Sequence, residues 1–262
     1  MSLQKKILVT SACTCLIAGT IIALPLDLFS LSAQAQSRRV RYVPPSNLDA
    51  PKVSSSGITR SACQEGESIC LIALLPDLQL DSRPIPLTIS ERPTIYFLSP
   101  KFDDKASFEI REVEGLRTKF IYRKTFPLKV EAGVIAFKMP NDAPILEIGK
   151  SYRFELNSNG SDFDAKKNVR GYIRRVSPSQ KLVDQLKNTF KPIDRAVLYA
   201  QEGIWFEAIQ TLEEAQRTVP SNPEVTEEWI SLLSSAKLDR VIPFSFVTQI
   251  PTKESNALPN PY

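Results

Sequence analysis

From residue 93 to residue 176 the chain alternates apolar with polar positions in short runs, and after residue 177 the apolar positions recur every third or fourth residue instead. The first pattern is that of strands with one face buried and one in water; the second is that of amphipathic helices. Strand-like runs fall at residues 93–100, 106–113, 117–126, 132–140, 150–158 and 168–176. Phe108, Ile110 and Val113 stand among Glu109, Arg111 and Glu112, and Tyr152, Phe154 and Leu156 alternate with Arg153 and Glu155. Such alternation belongs to antiparallel sheets, and a series of short strands with no helical pattern between them predicts a β-sandwich. Within it, Leu146, Gly149 and Tyr152 have the spacing of a tyrosine corner, in which the phenol bonds back to upstream backbone.

The helical part opens after Ser177-Pro178-Ser179, where a serine cap precedes Leu182, Leu186 and Phe190 at every fourth position. Pro192 opens a second helix with Ala196, Tyr199 and Ala200 on one face, and Ala208, Leu212 and Ala215 mark a third beyond Gly203. A turn at residues 220–223 leads to a fourth carrying Trp229, Leu232 and Leu233. Tyr199, Gly203, Ala208, Leu212, Ala215 and Pro220 match a tetratricopeptide repeat, in which small residues let two helices approach and glycine makes the turn. One legible repeat is too few for a solenoid groove, so the hairpin is expected to complete the fold first and to dock a partner second. If it docks one, Tyr199, Trp205 and Trp229 are the candidate contacts. The expected fold class is therefore α+β: an antiparallel β-sandwich of the fibronectin III/Ig-like kind, followed by a small tetratricopeptide-like helical region.

The flanks change the picture of where the chain works. Lys5 and Lys6 precede an apolar run over residues 7–24, and Ala33-Gln34-Ala35 has the small-x-small form of a leader cleavage site. The organisation expected is a signal peptide at 1–35, a flexible linker at 36–62, a sandwich domain at 63–176, a helical hairpin region at 177–240 and a C-terminal tail at 241–262. An edge strand is the alternative for the stretch from Val241. Residues 36–62 read as linker because of their prolines, a Ser54-Ser55-Ser56-Gly57 run and few large apolar residues. A periplasmic or secreted location follows, with no membrane span once the leader is removed.

Composition then removes chemistries. The chain has no histidine, so Ser-His-Asp and Cys-His catalysis and histidine proton shuttles are unavailable. No catalytic residue, cofactor or metal ligand set is assigned. Cys63 and Cys70, a close pair in an exported chain, form the disulfide candidate. Residues 84–176 hold 17 Lys plus Arg against 12 Asp plus Glu, whereas residues 178–239 hold 6 against 10. The basic excess includes Arg170, Arg174 and Arg175 around Tyr172, candidate contacts for an anionic ligand such as a polysaccharide. An exported chain without an aromatic platform motif is not expected to bind nucleic acid. Asn157 to Asp164 reads as an Asx-rich turn; Asn168 stands where an EF-hand loop would carry its closing glutamate. Ser234-Ser235-Ala236-Lys237 has a Ser-x-x-Lys form without its companion motifs and is taken as chance.

Four stretches together carry a family resemblance: LTISERPT (87–94), APILEIGKSY (143–152), GYIRRV (171–176) and LYAQEGIWFEAI (198–209). In this order they resemble the cyanobacterial family catalogued as domain of unknown function 928, over roughly residues 63–240. The resemblance implies an exported protein with a β-rich part before a short helical part, and no activity or cofactor. Many members place a cysteine near the end of the strand held here by Tyr152 to Leu156, where this chain has Leu156-Asn157-Ser158-Asn159. The functional expectation is a non-enzymatic interaction or structural module of the cell envelope that partners another envelope or secreted protein. The alternative is a carbohydrate-binding module or glycan-acting enzyme.

Overall fold

A computed structural model describes residues 39–45, 61–62, 69–77, 85–158 and 168–250. The expected leader, most of the expected linker, Cys63, the Asx-rich turn from Asn159 onward and the end of the chain lie outside the described residues.

Where the sequence alternates, strands form: β4 (Thr94–Ser99), β5 (Phe102–Glu114), β6 (Arg117–Val130), β7 (Gly133–Lys138), β8 (Ser151–Ser158) and β9 (Asn168–Arg175). Four shorter strands complete them: β1 (Ser61–Ala62), β2 (Leu71–Ala73), β3 (Leu87–Thr88) and β10 (Phe246–Ile250). They make two five-stranded sheets, β1-β2-β4-β7-β10 and β3-β9-β8-β5-β6. Both are mixed. β10 runs parallel to β7 and β3 runs parallel to β9, so the purely antiparallel arrangement expected from the alternation is corrected at one edge of each sheet. β10 also corrects the expected tail over residues 246–250, which is an edge strand.

Alternation decides what each face meets. Phe97 and Phe137 point from the first sheet toward Phe154 and Phe108 of the second, with ring centroids 6.0 Å apart for Phe97–Phe154 and 4.2 Å apart for Phe108–Phe137. Gly171 sits among them without a side chain because a Cβ there would come within 2.3 Å of the Phe154 ring. The tyrosine-corner hydrogen bond is present: the Glu147 N–H donates to the Tyr152 hydroxyl at 2.8 Å.

The opposite face of the first sheet carries the helices: α1 (Gln180–Lys187), α2 (Pro192–Gln201), α3 (Trp205–Thr218) and α4 (Pro223–Ser235). Phe246 of β10 touches both Tyr96 and Trp229, and the Trp205 indole donates to the Leu74 carbonyl at 2.8 Å. Ser179 caps α1 by accepting from the Leu182 N–H. α1 ends at Lys187, so Phe190 leaves the expected apolar stripe and is 86 % exposed. Pro192 disfavours helical backbone at the residue before it and starts α2 afresh.

The linker expected at 36–62 is corrected at residues 39–45, which run extended across the helices with Val40 and Tyr42 buried. The Val40 N–H donates to the Glu228 carboxylate at 2.6 Å, the Tyr42 N–H to Ser235 Oγ at 2.9 Å and the Val43 N–H to the Ala200 carbonyl at 3.0 Å. Tyr42 meets the Trp205 ring edge-on at 5.3 Å. Gly203, at φ +72°, turns α2 into α3 directly beneath Pro45, where a Cβ would approach the proline ring to 2.9 Å. Among the described residues no helix is long and apolar enough to cross a membrane.

Candidate functional site

Helices occupy one side of the first sheet and the second sheet occupies its other side. Among the described residues the helices lie against the first sheet and the short β3, and none lies across β5, β6, β8 and β9. Among the described residues the outer face of the second sheet is thus the broad surface left by the layering. Its residues follow from pairing: a residue that alternates with the buried Phe108, Ile110, Phe154, Leu156, Val169 and Ile173 must face away from the core.

Two rungs cross this face. In one, Arg123, Glu109, Glu155 and Arg170 stand in register from β6 to β9. In the next, Phe120, Arg111, Arg153 and Tyr172 do so. A bulge between Ile110 and Arg111 sets the second rung: Tyr122 pairs with Ile110, yet Phe120 pairs with Arg111, and Ile121 is the additional residue. Without it Phe120 would turn inward. Instead the ring is half exposed, with the Arg111 and Arg123 guanidinia each 5.8 Å from its centroid. Arg174 follows one rung further along β9, opposite Ser151.

The charges on this face are only partly matched. Glu109, 5 % exposed, is held by both Arg111 and Arg123. Desolvation opposes its ionisation, but the hydrogen bonds and charges of Arg123 and Arg111 outweigh that cost and keep the carboxyl below its usual range. Glu155 takes Arg170 at 3.1 Å. Arg153 has no carboxylate or hydrogen-bond partner among the described residues, although it stands directly opposite Arg111. Arg174 has a buried Nε with no hydrogen-bond partner. Like charges opposite each other in a sheet are destabilising by a few tenths to about 1 kcal/mol.

The sequence-predicted residues distribute unevenly over this arrangement. Arg170 and Arg174 lie on the face. Arg175 does not: it has the opposite parity, and its guanidinium bonds the Leu146 carbonyl and pairs with Glu91 at 3.2 Å, fastening the tyrosine corner. Tyr172 is on the face but only 6 % exposed. Tyr199, Trp205 and Trp229, the expected partner contacts, are buried, and this corrects that expectation: Trp205 meets Tyr42, Trp229 meets Phe246 of β10, and the Tyr199 hydroxyl accepts from Arg195. Cys70 is disulfide-bonded, while Cys63, its expected partner, lies outside the described residues. Arg111, Arg153 and Phe120 were not singled out from sequence. Their strands were legible, but their proximity depends on register and on one bulge.

Away from the face, Glu207 in the first turn of α3 accepts from Thr88 Oγ1 at 2.6 Å and from the Ile89 and Ser90 N–H groups at 3.0 and 2.9 Å. Its second carboxylate oxygen is buried without a partner. Burial pushes its pKa up, opposed by those hydrogen bonds. The group joins the helical layer to the edge of the second sheet.

The class defined by this fold is α+β, two stacked mixed sheets with a helical layer on one side and a cationic sheet face on the other. The chain belongs to the family described as Domain of Unknown Function (DUF928), whose profile matches residues 55–245. No curated protein matches it. Among solved structures it is similar to that of Astrotactin-2, described as a conserved vertebrate-specific and perforin-like membrane protein involved in neuronal development. The identity is 11 % and the TM-score 0.23, over 68 % of this chain and 36 % of that one. The chain thus spans about a third of that protein's length, and a likeness at this TM-score carries no argument about fold or function.

Proposed function

We propose that this chain is an exported, non-enzymatic binding module of the cell envelope that meets its partner through the outer face of the second sheet. The observation that carries the reading is the rung in which Arg153, without a partner among the described residues, faces Arg111. The leader-like residues 1–35 and the lack of histidine support the export and the absence of imidazole chemistry. In this reading the sheets are a fibronectin III-like sandwich with altered edges, and α2 with α3 is a tetratricopeptide-like hairpin used for packing.

A second reading, a protein docked on the helical layer, is favoured by Phe190, which is 86 % exposed between α1 and α2. Co-sedimentation with isolated envelopes separates the two. The expected outcome is that Thr118→Glu with Thr125→Glu, which place negative charge on the sheet face, releases the protein, whereas Phe190→Ser leaves it bound. Release by Phe190→Ser alone would overturn the sheet-face reading in favour of the helical one.

A further inference from the structure

Resting on that reading, the ligand of the sheet face can be narrowed by what the face lacks as well as by what it holds. At Arg111, Arg153 and Arg174 the main chain of β5, β8 and β9 is in a ladder on both sides. A polypeptide ligand that adds to a sheet gains affinity from free backbone groups at an edge, and the edges of this sheet are β3 and β6, so at these three arginines the surface offers side chains only. Those side chains are planar guanidinia. Arg111 and Arg153 share a rung on β5 and β8 and Arg174 stands one rung further on β9; beside them Glu109 engages both Arg123 and Arg111, and Glu155 engages Arg170. Guanidinium forks match the two oxygens of a carboxylate. At the end of the same rung the half-exposed Phe120 ring presents an apolar plate, and the carbon face of a pyranose can lie on such a plate.

We infer that the face is a subsite for an anionic polysaccharide, with a sugar carboxylate held between Arg111 and Arg153 and a neighbouring residue of the glycan on Phe120. Arg174 extends the track by one rung, so successive charged sugars of a linear polymer meet successive cations. The Arg111 guanidinium is shared between Glu109, Phe120 and the ligand. Arg153 is the anchor, because it has no protein partner among the described residues to release.

The test is calorimetric titration of the purified chain with polygalacturonate, its methyl-esterified form and poly-glutamate at low and high salt. Binding to polygalacturonate is expected to weaken with salt and to vanish on esterification. Arg153→Gln should lower affinity about tenfold, the loss of one charge-assisted contact, and Arg153→Gln with Arg174→Gln should lower it further. Both variants should melt no lower than the parent, since neither residue has an ion-pair partner among the described residues to lose. Equal binding of the esterified polymer, equal binding of poly-glutamate, or affinity unchanged in Arg153→Gln would each overturn the inference. If envelope binding depends on the sheet face but polygalacturonate does not bind, this ligand assignment fails and the sheet-face reading stands. If envelope binding ignores the face, both fail.

Discussion

Two buried carboxylates show how single residues join the layers. Glu228 is buried on α4, and its oxygens accept from the Val40 N–H and the Arg39 guanidinium. Glu207 bonds the chain just after β3 with one oxygen and leaves the other buried without a partner. The consequence of Glu207 for pH differs from that of the usual paired acid. Burial raises the Glu207 pKa above its ordinary 4.5, so the folded chain holds that proton more firmly than the unfolded chain does. The stability it contributes is therefore fully present below the ordinary value and is lost as pH rises through the raised one. Glu207→Gln does not titrate. Thermal melts of parent and variant should show the parent losing ground to the variant as pH climbs above the ordinary 4.5 and through the raised value; a gap independent of pH would contradict the assignment. Glu109 works in the other direction, since its lowered pKa gives stability that is lost as the medium is acidified through that lowered value.

At the scale of elements, residues 39–45 are the part whose role composition concealed. Arg39, Val40, Arg41 and Tyr42 do alternate in polarity, but the prolines and serines that follow give the stretch the composition of a linker. Its order comes from partners about 190 residues away, Glu228 and Ser235, which no local pattern announces. Glu228→Ala would leave the buried Val40 N–H without an acceptor, and we expect a loss of about 1–3 kcal/mol in urea unfolding. Removing residues 36–45 should cost more, because the burial of Val40 and Tyr42 goes too. An unchanged unfolding midpoint in the deletion would show that the segment does not belong to the fold. The long strands were legible for the opposite reason: Phe108 to Ile110 and Tyr152 to Leu156 carry their own alternation. β3 has two residues between prolines and others, too short to display any period, and β10 pairs in parallel through residues far along the chain. Parity within β9 separates Arg175 from Arg170 and Arg174, since the odd positions Val169 and Ile173 face the core.

For the whole molecule, layering explains why the conspicuous aromatic residues of the helical region are buried. Trp205 and Trp229 hold the helices to the first sheet and to residues 39–45, and Tyr199 is buried with them. What remains outward on the far side is a sheet face whose arginines outnumber its acids. That imbalance was visible in the sequence only as a basic excess over residues 84–176; which cations share a rung was decided by strand order and by the bulge before Arg111. The central claim, that the second sheet's outer face is the contact surface, is tested most directly by arginine-selective chemical labelling of the chain with and without isolated envelope, read by mass spectrometry. Protection of Arg111, Arg153 and Arg174, with Arg195 and Arg217 on the helices labelled equally in both samples, is the predicted result. Protection confined to Arg195 and Arg217 would contradict it.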